Sequence, residues 1–244
     1  MRSRCGGFVL MKKSKILFLA SNPDDETPLR LDEEMRAIEE KINASEHRNA
    51  LDLVSRWATR PDDLLQHLNT HRPTVVHFSG HGGKAGELVL MDDSRHSKTV
   101  SPQALRALFL VLKDNIRLVV LNACYSEPQA KAIAEVIDCV IGMNDAIGDE
   151  AAIKFAASFY RAVGFGRSVK DAFEQSRVSL MLEGIPEENI PVLILRSGVD
   201  PASVYLIHET HLDEYTHTSL TTATPEVRYS QHECVLDYGV ASPP

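Results

Sequence analysis

With 244 residues and a formal net charge of −8, from 26 Lys and Arg against 34 Asp and Glu, the chain has neither the basic excess nor the basic stripe of a nucleic-acid binder. It is 43% hydrophobic and 25% charged, as globular proteins are, and its length suits one large α/β domain with or without an appendage. The four cysteines, Cys5, Cys124, Cys139 and Cys234, show neither CxxC nor metal-ligand spacing, which excludes a disulfide framework and points to a reducing, cytoplasmic compartment. No apolar run approaches the ~20 residues of a membrane span, so no membrane partner is expected.

Residues 1–11 carry an apolar patch too short for a signal peptide and read as an extension; Met11 looks like the natural start of a domain. "KILFLAS" (15–21) is a short apolar run stopped by "NPDD", the pattern of a buried strand and its turn. "LRLDEEMRAIEEKIN" (29–43) sets Leu31, Met35, Ile38 and Ile42 at helical spacing, with acidic residues near its start where the helix dipole favours them. "ALDLVSRWA" (50–58) alternates as an edge strand does, and "RPDDLLQHLNTH" (60–71) is a helix opened by proline and aspartate. "TVVHFSG" (74–80) is the next strand, delivering His81 into a glycine-rich loop, and "GELVLMDDSRHSKTV" (86–100) reads as a hairpin.

"SPQALRALFLVL" (101–112) is a helix with Ser101 as N-cap and Pro102 in its first turn. "IRLVVLNAC" (116–124) is a strongly apolar strand. Helix 127–137, strand 138–145, helices 148–166 and 168–182, and strand 189–197 follow. Six strands alternating with helices imply a mostly parallel, doubly wound sheet, taken in the order 2-1-3-4-5-6 with a small hairpin insertion. Residues 12–207 form the domain; residues 208–244, rich in Thr and His without a core face, read as an irregular or partly disordered tail.

Ligands in an open α/β sheet sit beyond the carboxyl ends of the strands, where strand order reverses. The expected order brings the ends of strands 15–21, 74–80 and 116–124 together, and with them Asp24, His81 and Cys124. Neighbouring strands lie about 4.8 Å apart, within side-chain reach. A thiolate is the nucleophilic form of cysteine. His81 can move its proton, and the start of the helix at Glu127 and Pro128 favours an anion nearby. The glycines leave room for a scissile carbonyl, and the amides of Gly82 and Cys124 can form an oxyanion hole. No third triad member stands out; Asn122 shares a sheet face with Cys124. Ser79 and Asn122 read as loop-shaping residues and Cys139 as core. His77 lies on a strand with no supporting ligands, so no metal is expected, and "SGHGGKAG" lacks the order of a phosphate loop. Asp24 and Asp145, near the carboxyl edge, are candidates for an acidic substrate pocket as well as for turn chemistry, and no arginine stands where a basic pocket would need one.

In "HFSGHGG" and "LVVLNACYS", and in "ILFLASNPDDETPLRLDEEMRAI" and "VIGMNDAIGDEAAIKFAASFYRAV", the sequence resembles the CHAT-domain family of caspase-like cysteine peptidases, in the clan of caspases, metacaspases and separases. The resemblance covers about residues 15–207. It implies a caspase-like three-layer sandwich, endopeptidase activity without a cofactor, His81 and Cys124 as a dyad, and Gly82 near the oxyanion. Separases and metacaspases accept basic residues in an acidic pocket, the role offered to Asp24 and Asp145. The expected partners are a protein substrate and a sensor or activator protein in a bacterial defence or signalling system. The alternatives are a catalytically silent caspase-like interaction module, or a cysteine amidotransferase or hydrolase on a flavodoxin-like sheet, which usually carries its nucleophile before its histidine.

Overall fold

The computed structural model describes residues 13–207. The expected extension (1–11) and tail (208–244) lie outside these residues, apart from any statement of fold. Strand β1 (Ser14–Ser21) is buried along nearly its whole length because helices cover both of its faces. It pairs in parallel with β2 (Leu51–Arg56) on one side and β3 (Val75–Gly82) on the other. Beyond β3 lie β6 (Leu118–Asn122), β7 (Cys139–Met143) and β8 (Pro191–Leu195), giving the order β2-β1-β3-β6-β7-β8.

Counted over these six strands the order is 2-1-3-4-5-6, with β2 at an edge and β8 antiparallel to β7 at the other. The difference from the sequence reading lies in the hairpin. Strands β4 (Leu88–Met91) and β5 (Ser97–Val100) do not stand apart: β4 pairs with the end of β3, and the sheet has eight strands in all. Strand β1 ends at Ser21, opposite Gly80, and β4 takes over that edge of β3 opposite His81 and Gly82. His81 is therefore a strand residue paired with Val89, not the occupant of a loose loop.

The alternation of side chains divides the apolar residues between two layers. Ile16, Phe18, Val75, Leu118, Val120 and Ile141 face helices α1 (Leu31–Asn43), α5 (Asp149–Gly164) and α6 (Val169–Leu182). Leu17, Leu19, Val76, Phe78, Val119 and Leu121 face α2 (Pro61–His71), α3 (Pro102–Leu112) and α4 (Glu127–Ala134). Local chemistry starts these helices as expected. Pro61 and Pro102 occupy first turns, and the Ser101 hydroxyl accepts from the Ala104 N–H at 3.2 Å. Among the described residues no helix is long and apolar enough to cross a membrane.

Leu118 lies at the centre of the sheet with no exposed surface. Leu118→Ala is expected to lower the unfolding free energy by about 3 kcal/mol, read as a reduced urea midpoint with unchanged slope.

Candidate active site

Register brings the two motifs together. Strands β3 and β6 run parallel with Ser79 opposite Asn122. His81 and Cys124 each lie two residues further on, His81 still within β3 and Cys124 in the turn that follows β6. They border one cavity of about 60 Å³, lined also by Glu34, Asn122, Arg30 and Asp149.

The glycines of "SGHGG" have tighter duties than providing open space. A Cβ on Gly80 would come within 2.6 Å of the Ser21 carbonyl oxygen, and one on Gly82 within 1.9 Å of the Cys124 carbonyl oxygen. The room expected beside Gly82 for a substrate carbonyl is occupied at its Cα by the backbone of Cys124 itself. The Gly83 N–H donates to the Glu87 carbonyl at 2.8 Å across the ladder that pairs His81 with Val89. Alternation turns the Gly82 N–H to the opposite edge, the side on which Cys124 lies.

The thiol of Cys124 is partly exposed and donates to the Ile147 carbonyl at 3.7 Å, a bond to the loop between β7 and α5 rather than to His81. On His81, Nε2 is buried and has no hydrogen-bond partner among the described residues. The turn after β6 is held tightly. Ser126 donates to the Leu121 carbonyl at 2.9 Å and accepts from the Met143 N–H at 2.9 Å, while Tyr125 takes a left-handed φ of 54°. The Tyr125 N–H donates to the Asp145 carbonyl at 3.2 Å, tying this turn to the same β7–α5 loop.

The floor beneath the dyad carries a buried polar cluster. Glu34 of α1 is 2% exposed and its carboxylate accepts from His77 Nε2 at 2.9 Å, from Asn122 Nδ2 at 2.6 Å and from the Ser79 hydroxyl. His77 Nδ1 lies 3.1 Å from the Tyr160 hydroxyl, and the His77 ring stacks on Phe18. Burial, and then the charge of Glu34, push the Tyr160 phenol well above its ordinary range, so it keeps its proton. A protonated Tyr160 donates to Nδ1 and leaves the Nε2–H of His77 for the carboxylate.

Ser79 and Asn122 are thus strand residues bonded to one carboxylate rather than loop-shapers. Glu34 was not singled out by sequence because its acidic neighbours suit a helix start. Its spacing carried the signal, three residues after Leu31 and four before Ile38, inside the buried stripe of α1.

Neither aspartate offered as a pocket residue lines this cavity. Asp24 does not line the cavity. Arg95 binds its carboxylate with two N–H groups, at 2.8 and 2.9 Å, and that hydrogen bonding holds the Asp24 carboxyl below its ordinary range. Together with Asp25, which accepts from the Ser97 N–H at 2.8 Å, it clamps the hairpin turn. Asp145 is exposed and also outside the cavity lining; its carboxylate accepts from the Ala146 N–H at 2.7 Å. The acidic residues that line the cavity are instead Glu34 and Asp149. An arginine stands there too, since Arg30 lines the cavity and lies 3.6 Å from Asp149 and 3.2 Å from Glu33. Among the described residues there is no group of three or more His, Cys, Asp or Glu able to hold a metal ion.

Burial pushes the thiol of Cys139 up to about 12. At pH 8 its thiolate is a minute fraction, and iodoacetamide is expected to label Cys124 long before Cys139 in the folded protein, as read by peptide mass mapping. Gly82→Ala places a methyl group on the Cys124 backbone; it is expected to cost about 1–3 kcal/mol of stability, read by urea denaturation, and to slow that labelling of Cys124.

A profile of the family described as "CHAT domain" matches residues 11–217. A Roc-COR-CHAT protease from an unknown prokaryotic organism is 25% identical over 194 residues, covering 74% of this chain and 18% of that protein. One from Runella zeae is 28% identical over 152 residues, covering 61% of this chain and 16% of that protein. The chain thus spans less than a fifth of the length of these curated relatives. Among solved structures, a secreted C11 cysteine protease from Bacteroides thetaiotaomicron in complex with an irreversible peptide inhibitor aligns with a TM-score of 0.53, at 14% identity over 76% of this chain and 67% of that one. Caspase-1 from Spodoptera frugiperda aligns at 0.51, with 10% identity over 76% of this chain and 86% of that one. At such identities the two structures speak to the fold, which is caspase-like. The profile match encloses every residue of the fold described above, and the chain therefore belongs to the CHAT domain family.

Proposed function

We propose that this domain is a cysteine endopeptidase in which Cys124 is the nucleophile and His81 the general base. The observation that carries the reading is that His81 and Cys124, just past the paired ends of β3 and β6, border one cavity. With Nε2 buried, Nδ1 is the His81 nitrogen that can exchange a proton with the cavity. His81 takes the thiol proton and Cys124 Sγ attacks the peptide carbonyl carbon. The N–H groups of Gly82 and Cys124 stabilise the oxyanion, and His81 returns the proton to the leaving amine. A thioester remains. Water, giving a proton to His81, attacks the thioester carbonyl; the C–S bond breaks, His81 passes that proton to the departing sulfur, and the acid product leaves and ionises in solvent.

The hydrogen bond from Cys124 to the Ile147 carbonyl supports a further part of the reading. The thiol rests on the β7–α5 loop, and the reaction requires it to be handed to His81. A protein that senses a signal and moves that loop would switch the domain on, which suits an effector in a bacterial defence or signalling system. The names of the relatives, in which a CHAT part is joined to Roc and COR parts, are in keeping with such control.

Profiling the purified protein on a peptide library, with and without the products of neighbouring genes, tests the proposal. Cys124→Ala and His81→Ala are each expected to reduce cleavage by about a thousandfold or more. Undiminished cleavage by either variant would remove the dyad. A Cys124 alkylated no faster than Cys139 would favour a silent interaction module instead.

A further inference from the structure

The buried carboxylate of Glu34 has three donors, and their places in the chain are not scattered. Ser79 stands two residues before His81 on β3, and Asn122 two residues before Cys124 on β6. His77 stands two residues before Ser79 on the same face. Ser79 and Asn122 are register partners. A single side chain from α1 therefore bridges the two strands one step behind the dyad. The orientation of Asn122 follows from its neighbours: Nδ2 faces Glu34 Oε1 at 2.6 Å and the Ala152 carbonyl at 3.4 Å, two acceptors that only the NH₂ end can satisfy.

The backbone at this point needs such a bridge. The parallel ladder between β3 and β6 has its last register pair at Ser79 and Asn122, so His81 and Cys124 lie beyond it. On its other side β3 has changed partner from β1 to β4. The dyad thus sits where the regular β3–β6 ladder has run out, and the hydrogen bonds of Glu34 tie Ser79 to Asn122 at the last pair of that ladder.

We propose that Glu34 is a positioning residue for the dyad, acting through Ser79 and Asn122 to hold the ends of β3 and β6 level. The inference rests on the dyad reading above. The hydrogen bonds of Glu34 go to His77, Ser79 and Asn122 rather than to the dyad itself; it sets where the strands end. Helix α1 becomes part of the catalytic frame, although its sequence reads as an ordinary amphipathic helix.

The test is the second-order rate of iodoacetamide labelling of Cys124 in the full chain, with Cys139 as an internal monitor of unfolding. Glu34→Gln keeps the shape of the side chain and removes its charge. It is expected to slow labelling about tenfold in the wild-type background and by less than about twofold in a His81→Ala background, because the effect runs through the dyad. On a peptide substrate selected with the wild-type protein, kcat is expected to fall by a similar factor with KM held within about twofold. Ser79→Ala, which removes one of the three bonds, is expected to slow labelling by about threefold and covers the case in which Glu34→Gln exposes Cys139. Wild-type labelling in folded Glu34→Gln, or in Ser79→Ala, would overturn the inference, as would an equal slowing in the two backgrounds. A His81→Ala variant labelled at the wild-type rate would instead defeat the dyad itself, and the inference with it.

Discussion

The candidate site depends on the parallel pairing of β3 with β6. Neither strand carries an active site alone: β3 ends in a histidine between glycines, β6 in a cysteine before a turn. Pairing Ser79 with Asn122 brings the two strand ends together, and both side chains border one cavity just beyond that pair. A shift of one residue in either strand would send its functional side chain to the opposite face of the sheet, because side chains alternate. The same pairing explains why position 82 is glycine. Past the last ladder pair the two backbones draw so close that a Cβ would overlap the Cys124 carbonyl.

Along the α1–α5–α6 face the sheet changes character. It begins apolar at Val75 and Leu118 and becomes polar at His77, Ser79 and Asn122, just before the dyad. Buried polar groups are costly unless paired, and a buried charge more so. Glu34 accepts from three side chains at once and Tyr160 joins them through His77, while the buried Oδ1 of Asn122 has no partner among the described residues. This patch is also where α1 is locked to the sheet, between the apolar contacts of Leu31 and Ile38. Helix, strand ends and cavity floor are thus one connected piece.

Much of this was legible in the chain. Apolar runs such as "IRLVVLNAC" announce buried strands because only hydrophobic side chains suit a sheet covered on both faces, and alternation with helices restricts the connections. Strand order then placed the histidine and cysteine motifs side by side. Less legible were the partners of individual side chains. Asp24 is bound by Arg95, far away in sequence, which no local pattern announces. His77 read as an unremarkable strand residue, and the glycines after Gly80 as empty room. Glu34 was hidden among Asp32 and Glu33, acidic neighbours that face away from the core.

Periodicity, turn residues and the ordering of motifs depend on near neighbours along the chain, so the sequence by itself determined the layered α/β fold, the strand order and the neighbourhood of His81 and Cys124. Hydrogen bonds, close approaches and the resting place of a thiol depend on distances between segments remote in sequence. Only the tertiary structure decided that Glu34 lies under the dyad, that Gly82 abuts Cys124, that Asp24 serves the hairpin, and that the Cys124 thiol rests on the Ile147 carbonyl. The physical reason is that hydrophobic pattern selects the elements, while the packing of one element on another, to within a fraction of an ångström, selects the partner of each polar group.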